Sequence, residues 1–494
     1  MEAEYVSSRK ISNTSTSSQA ILNGLSKDGG LFIKKNLQQI KIELSTLKNK
    51  SYEQIAEIIL NKFLSDYSDI EIKNAIKLAY TDRFSKEEIT PLIKLNKNYY
   101  ILELFHGPTS AFKDIALSLL PHLMEIASKK NNLEKKILIL TATSGDTGKA
   151  ALEAFKDVDG IKIIVFYPNE GVSEVQKRQM ISQEGDNVFV VGINGNFDDA
   201  QSAVKQVFND PELKVYFQNK DIKLSSANSI NIGRLFPQMV YYFSAYMELV
   251  QNSEIKLGEE INFSIPTGNF GNILAGYYAK MIGLPINKLI CASNENNVIY
   301  EFFKTGVYNK NREFLKTLSP SMDILISSNL ERLLYDLCDE NCNYIDRLMR
   351  DLDLKGTYEI DKNIKDRINK IFFETFATDL QTKEKIKEIY KKYDYLLDPH
   401  TAVAYLGAET FDDNTKKTVI LSTASPYKFS KTVYESIFEK TENLDEFQLM
   451  NLLQNKTNIE APKNLIDLKS KAIYHTDIID KEYIKKYIEE MKLW

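Results

Sequence analysis

Cysteine is scarce in this chain: there are 3 in 494 residues. That is too few for a disulfide framework, and none sits in the paired spacing of a structural metal site. Cys338 and Cys342, about one helical turn apart, read as packed thiols. No uninterrupted apolar run approaches the ~20 residues that span a bilayer, and the first residues hold no apolar signal core. Polybasic stripes are missing too, since 63 basic and 68 acidic residues are mixed along the sequence at a net charge of −5. Nucleic acid and membrane are therefore excluded as expected partners, and a reducing, cytoplasmic setting is expected. Prolines number only 12, while 43% of residues are hydrophobic and 27% charged, which is the balance of a chain with a real core. The length predicts two or three domains.

Residues 1–95 read as a small, mainly helical entry domain with a turn at Asp28, Gly29 and Gly30. The rhythm then changes to short apolar runs, each followed by a turn and a helix-period stretch. Candidate strands are Ile137 to Thr141, Ile161 to Tyr167, Val188 to Ile193, Ile261 to Ile265, Leu289 to Ala292 and Thr418 to Leu421. Strands alternating with helices imply parallel α/β sheets covered on both faces. We take 96–438 as the central region, with a smaller subdomain over about 115–235, and 439–494 as surface helices rich in Lys and Glu. Between about Lys304 and Asp394 the strand signal lapses, and the text reads as a helical layer without a legible function.

Two glycine-rich turns stand directly between a strand and a helix. Thr141 to Gly148 (TATSGDTG) follows the first, and Pro266 to Asn272 (PTGNFGN) follows the strand at Ile261. Backbone N–H groups at a helix start bind anions. A P-loop is ruled out because Thr143 stands where its first glycine belongs and Ala150 where its hydroxyl belongs. The GxxG spacing is not a dinucleotide fingerprint. Either turn alone is equally a tight turn using glycine's backbone freedom; two in one α/β chain favour a ligand with two anionic groups. A third segment, Phe105 to Asp114, places Lys113 just before an apolar helix. There, burial and the positive helix end would depress its pKa, as an imine-forming lysine needs.

In order, GPTSAFKD, TATSGDTG, NSINIGR, PTGNFGN and DPHTAVA, with STASPYKF after them, closely resemble the threonine synthase family, over a stretch from Gly30 to Phe429. The resemblance implies an α/β fold-type II pyridoxal-phosphate enzyme like the tryptophan synthase β chain: two parallel-sheet domains, a small N-terminal domain and a helical C-terminal extension. It implies the conversion of O-phospho-L-homoserine and water to L-threonine and phosphate, with pyridoxal 5'-phosphate as cofactor. Lys113 would hold the cofactor aldehyde and move protons. Gly268, Asn269, Phe270 and Asn272 would surround the cofactor phosphate, and Thr423 would bond the pyridine nitrogen. Thr143, Ser144, Gly145, Asp146 and Thr147 would grip the substrate carboxylate, while Asn228, Ser229 and Arg234 would take the substrate phosphate. Relatives often carry aspartate at Asn272 and histidine at Ser425. Lys149, where alanine is common, is expected to point to solvent. His400 would line the site or cap a helix, and Tyr241, Tyr242 and Phe243 read as core. No metal is expected, and the family type suggests a monomer or weak homo-oligomer. Two rivals share these motifs: a phospho-lyase that turns O-phosphohomoserine into 2-oxobutyrate, and a catalytically silent binding protein.

Overall fold

Each of the six predicted strands is a strand in the computed structural model, which describes residues 3–143, 145–169, 172–195, 197–438 and 443–491. They fall into two sheets. The smaller sheet runs Ile478–Asp480, Val188–Asn194, Ile161–Pro168, Lys136–Ala142, Ile222–Ser225, and every neighbouring pair is parallel. The larger runs Phe372–Phe376, Ile286–Ser293, Ile261–Pro266, Thr418–Ser422, Tyr99–Glu103, Leu92–Lys94. Only its last pair is antiparallel. The central strands are buried nearly end to end, as in Ile137 to Ala142 and Ile261 to Pro266, because helices cover both faces.

Two edge strands come from stretches that read as helical. Phe372–Phe376 belongs to the 304–394 region, whose helices also carry an antiparallel pair of short strands, Val307–Asn309 and Thr357–Glu359, and Ile478–Asp480 belongs to the C-terminal segment. That second strand pairs with Val188–Asn194, so the C-terminal segment is helical in part but also closes an edge of the smaller sheet. Arg178 ties the same segment down by donating to the carbonyls of Leu468, Lys469 and Lys471. The N-terminal residues form an antiparallel sheet of three short strands beside the helices Ser17–Asn23, Tyr52–Phe63 and Asp69–Tyr80.

One helix organises the interior. Ile232–Gln251 is apolar on nearly every side, the pattern of a helix buried all round. It packs against Tyr52–Phe63, Lys113–Leu117 and Gly271–Met281, joining the N-terminal unit to the larger sheet. Tyr241, Tyr242 and Phe243 are fully buried in it. On the opposite face of the larger sheet lies Pro399–Phe411, capped by Asp398, whose carboxylate accepts from the N–H groups of His400 and Thr401. Gly407 lets this helix lie close on the strands, since a Cβ there would stand 2.9 Å from Thr375 Cγ2 and 3.1 Å from Ala292 Cβ. Gly407→Val is expected to lower stability by about 1–3 kcal/mol through overpacking, read from urea unfolding followed by far-UV circular dichroism.

Candidate active site

Lys113 sits where two distant stretches of chain zip together. Phe112 N donates to Thr423 O at 2.8 Å, Ala111 and Ala424 form an isolated antiparallel bridge, and Ser425 N donates to Ser110 O at 3.1 Å. Lys428 Nζ then reaches back to Thr109 O at 3.0 Å. Asp114 fixes the turn before Lys113 by taking Thr109 N at 2.8 Å and Thr109 Oγ1 at 2.6 Å. Residue 107 must be glycine here, because a Cβ would meet Asp114 Oδ2 at 2.6 Å. Burial pushes the Asp114 carboxyl up to about 6 despite those donors.

A cavity of about 860 Å³ opens beside Lys113 between the two sheets. Of the residues singled out in the sequence, Lys113, Thr143, Thr147, Asn228, Ser229, Arg234, Gly268, Asn269, Phe270, Asn272 and Thr423 all line it. Ser144 lies outside the described residues. Gly145 and Asp146 stand behind the wall. Gly145, at φ 134°, starts the helix Asp146–Phe155, and Thr143 Oγ1 accepts from the N–H groups of Gly145 and Gly148 at 3.0 and 2.8 Å. Thr143 is thus an internal cap, which holds the turn open.

The lining is one-sided in charge: Lys27, Lys113, Lys135, Lys214 and Arg234 face the cavity, and no Asp or Glu does among the described residues. Two buried donors there have no protein partner among the described residues, Arg234 Nε and Asn272 Nδ2. The Asn272 amide is held by its oxygen, which accepts from Tyr241 OH at 2.5 Å and Tyr242 OH at 3.0 Å, leaving the NH₂ uncommitted. Arg234 spends Nη1 on Ala227 O at 2.9 Å, and burial brings the guanidinium down to about 10. Unpaired buried donors cost roughly 1–3 kcal/mol each unless an acceptor arrives. A tetrahedral anion is such an acceptor. The helix start at Gly271, behind a left-handed Phe270 at φ 60°, adds backbone N–H groups to this end of the cavity.

The Lys113 amine is 3.7 Å from Asp146 Oδ2 and 3.5 Å from Ser321 Oγ. Burial lowers it to about 8; Asp146 pulls it back up, while Arg234 and Lys428 press it lower. Asp146 is almost fully buried, which alone would raise its carboxyl. Lys428 at 2.7 Å, Lys113 and the Gln176 amide at 2.9 Å outweigh burial and hold it well below the usual carboxylate range. Ser321 Oγ also donates to it, at 3.1 Å.

Several groups here were not legible as site residues. Ser321 and Met322, from the 304–394 region, form a wall over Gly268, whose Cβ would stand 3.1 Å from Met322 Cα. Ser321 N donates to His400 Nε2 at 3.2 Å, and His400 Nδ1 lies 2.8 Å from Asp398 Oδ1, so His400 does both things expected of it, lining the site and completing a helix start. Asn329 donates to Ser229 Oγ and Asn269 O at 3.1 and 3.0 Å, bridging the NSINIGR stretch and the PTGNFGN turn. Lys149 does not point to solvent: it is buried and bonded to Glu153 and Gln183. Its alkyl stem packs inside, and only a local carboxylate makes that tolerable.

A cationic cavity with a buried amine of lowered pKa at one end and unpaired donors at the other suits a phosphate-bearing aldehyde, and the pyridoxal-phosphate dependent enzyme family matches residues 84–347. Within that class the chain belongs to the threonine synthase family, whose N-terminal part matches residues 4–80 and whose C-terminal part matches residues 401–483. Threonine synthase of Saccharomyces cerevisiae is 35% identical, over 94% of this chain and 97% of that one. Threonine synthase-like 1 of Homo sapiens is 37% identical over 96% of this chain, which spans 65% of that protein's length. The crystal structure of threonine synthase from Brucella melitensis with pyridoxal phosphate bound superimposes with a TM-score of 0.86 at 34% identity, covering 99% of both chains. The fold is that of the family, as the motifs implied. No helix among the described residues is long and apolar enough to cross a membrane.

The lowered Lys113 pKa has a stability consequence in the chain without cofactor. Between about 8 and 10.5 the unfolded chain holds a proton at this lysine that the folded chain has lost. Stability therefore rises with pH across that window. Lys113→Met should remove roughly 3 kcal/mol of this rise, seen as a shrinking stability difference between variant and parent in urea unfolding at stepped pH.

Proposed function

We propose that this chain is a threonine synthase that converts O-phospho-L-homoserine and water to L-threonine and inorganic phosphate, with pyridoxal phosphate held at Lys113. The observation that carries it is the pairing, in one cavity, of the Lys113 amine with two anion-ready donor sets on opposite turns. The residues fit the cofactor: Lys113 for its aldehyde, Asn272 with Gly268, Asn269 and Phe270 for its phosphate, and Thr423 for its ring nitrogen. When bound, pyridoxal phosphate would supply the electron sink that lets the protons on the substrate's Cα and Cβ be removed.

The remaining work falls to the chain. Arg234, with Asn228 and Ser229, would bind the substrate phosphate, its guanidinium offering a fixed fork to a tetrahedral anion. Thr143 and Thr147, which line the cavity at the Asp146 helix start, would take the substrate carboxylate, whereas Gly145, its N–H given to Thr143 Oγ1, shapes the turn. Asp146 belongs to the same turn, but an ionised carboxylate donates nothing to another; we assign it to holding Lys113 and Ser321. Lys113 Nζ would take protons from Cα and Cβ; the electron pair left at Cβ expels phosphate from Cγ, and of the two protons one is returned to Cγ after that bond has broken and the other leaves with the phosphate. Water then adds its hydroxyl at Cβ and a proton at Cα. The wall at Ser321 and Met322 would keep water out until that step, because early hydrolysis diverts the reaction to 2-oxobutyrate.

In this reading the enzyme is cytoplasmic and acts as a monomer or weak homo-oligomer, with the chain divided near residues 95 and 438. Incubation with O-phospho-L-homoserine should release threonine and phosphate in equal amounts with only trace keto acid. Predominant 2-oxobutyrate would make it a phospho-lyase, and no turnover with cofactor bound would make it a binding protein. Lys113→Ala should lose turnover by more than ~1000-fold while staying folded, and Arg234→Ala should raise KM at least tenfold with a smaller loss in kcat.

A further inference from the structure

Lys428 is a lysine with no exposed surface at all, and neither its Nζ nor its stem touches the cavity. Lysines are almost never buried this completely without a partner that requires them. Its ammonium has two partners, Asp146 Oδ1 at 2.7 Å and Thr109 O at 3.0 Å. The first is the carboxylate whose other oxygen faces Lys113. The second belongs to the turn that leads into Lys113 and that Asp114 also holds. The loop bearing Lys428 is stitched to the Lys113 loop at Thr423, Ala424 and Ser425, so neither ammonium can drift relative to the other.

We propose that Lys428 is a positioning residue for Lys113: it permanently occupies one oxygen of Asp146, so that this carboxylate orients the Lys113 amine without capturing its proton. The chemistry explains why a second cation is needed. A buried Asp146 paired with Lys113 alone would form a closed ion pair, and an amine locked as ammonium neither adds to an aldehyde nor accepts a proton. A neutral residue at 146 would leave the amine without an orienting acceptor. With Lys428 in place the carboxylate is already balanced, and it stays ionised whether Lys113 is charged or neutral. The charged and titratable groups that face Lys113 are then Asp146, Lys428 and Arg234, with His400 across the cavity and Asp114 behind Lys428.

The inference rests on Lys113 being the cofactor lysine, and the two are separable by experiment. In the full chain freed of cofactor, the pKa of Lys113 is measured by competitive acylation at stepped pH with mass-spectrometric readout, and capture of added pyridoxal phosphate is followed by absorbance. Lys428→Met should raise the Lys113 pKa by about one unit and slow capture at pH 7 about tenfold. Lys428→Arg, which keeps the charge, should return both towards the parent values. A purely structural lysine would lower the melting temperature of Lys428→Met and leave the Lys113 pKa and the capture rate unmoved; that result overturns the proposal. Should Lys428→Met not fold, the pair Asp146→Asn with Lys428→Met removes both buried charges and decides instead. A Lys113 pKa that falls less in the pair than in Asp146→Asn alone supports the proposal, and an equal fall in both refutes it. Borohydride trapping of pyridoxal phosphate on Lys113→Ala tests the other reading: label retained there sinks the role of Lys113, while the acylation pKa still reports on Lys428.

Discussion

The carboxylate of Asp146 is a buried anion shared among Lys113, Lys428, Gln176 and Ser321, and these groups come from four separate stretches of the chain. Asp146 starts a helix on the smaller sheet, Lys113 and Lys428 belong to loops leaving the larger one, and Ser321 comes from the 304–394 region. Each bond therefore also fixes one layer against another. Burial would ordinarily favour the neutral acid, so the ion persists because the Lys428 ammonium first, and then the Lys113 amine and two further donors, surround it. A hydrophobic substitute of the same volume would pack as well but would fix neither the amine nor the cleft.

The cavity follows from that constraint. With the sheets held by polar contacts at one point, the space between them stays open, and it is lined by turns at the carboxyl ends of their strands. Both turns present N–H groups, and Asn329 ties the one at Asn269 to the stretch that carries Ser229 and Arg234. Arg332 extends this brace, donating to Asn329, Ile230 and Phe32, so that the N-terminal sheet also registers on the site. A fully buried arginine with three acceptors and no carboxylate at bonding distance among the described residues gains little stability by charge, and its value is geometric.

Much of this was readable in the sequence, and the division is physical. Runs such as Ile137 to Thr141 are apolar end to end because both faces are covered, so six strands of the two sheets were visible. The strand Ile222–Ser225 carries Lys223 and Leu224 only half-buried at a sheet edge, and Ile478–Asp480 is partly exposed; neither makes an apolar run. Lys113, Arg234 and the turn glycines were legible because their chemistry is local, written in adjacent residues. Ser321, Asn329 and Lys428 were not, because their partners lie 175, 100 and 282 residues away in sequence and nothing in their own surroundings records it. Lys149 misled for the same reason, since Gln183 decides its direction.

The serine at position 425 shows how a loop holds its geometry through main-chain bonds. The question at this position is what orients the loop that holds Thr423. Here the loop is fixed by main-chain bonds to residues 110 and 112, while Ser425 Oγ accepts from Tyr427 N at 3.3 Å and starts the tight turn Pro426–Phe429. That turn is what aims Lys428 inward at Asp146. An imidazole still reaches the cavity, from His400 on the neighbouring helix, held by Asp398 and accepting from Ser321 N. Position 425 therefore governs the path of the chain to Lys428, while the cavity's imidazole comes from His400.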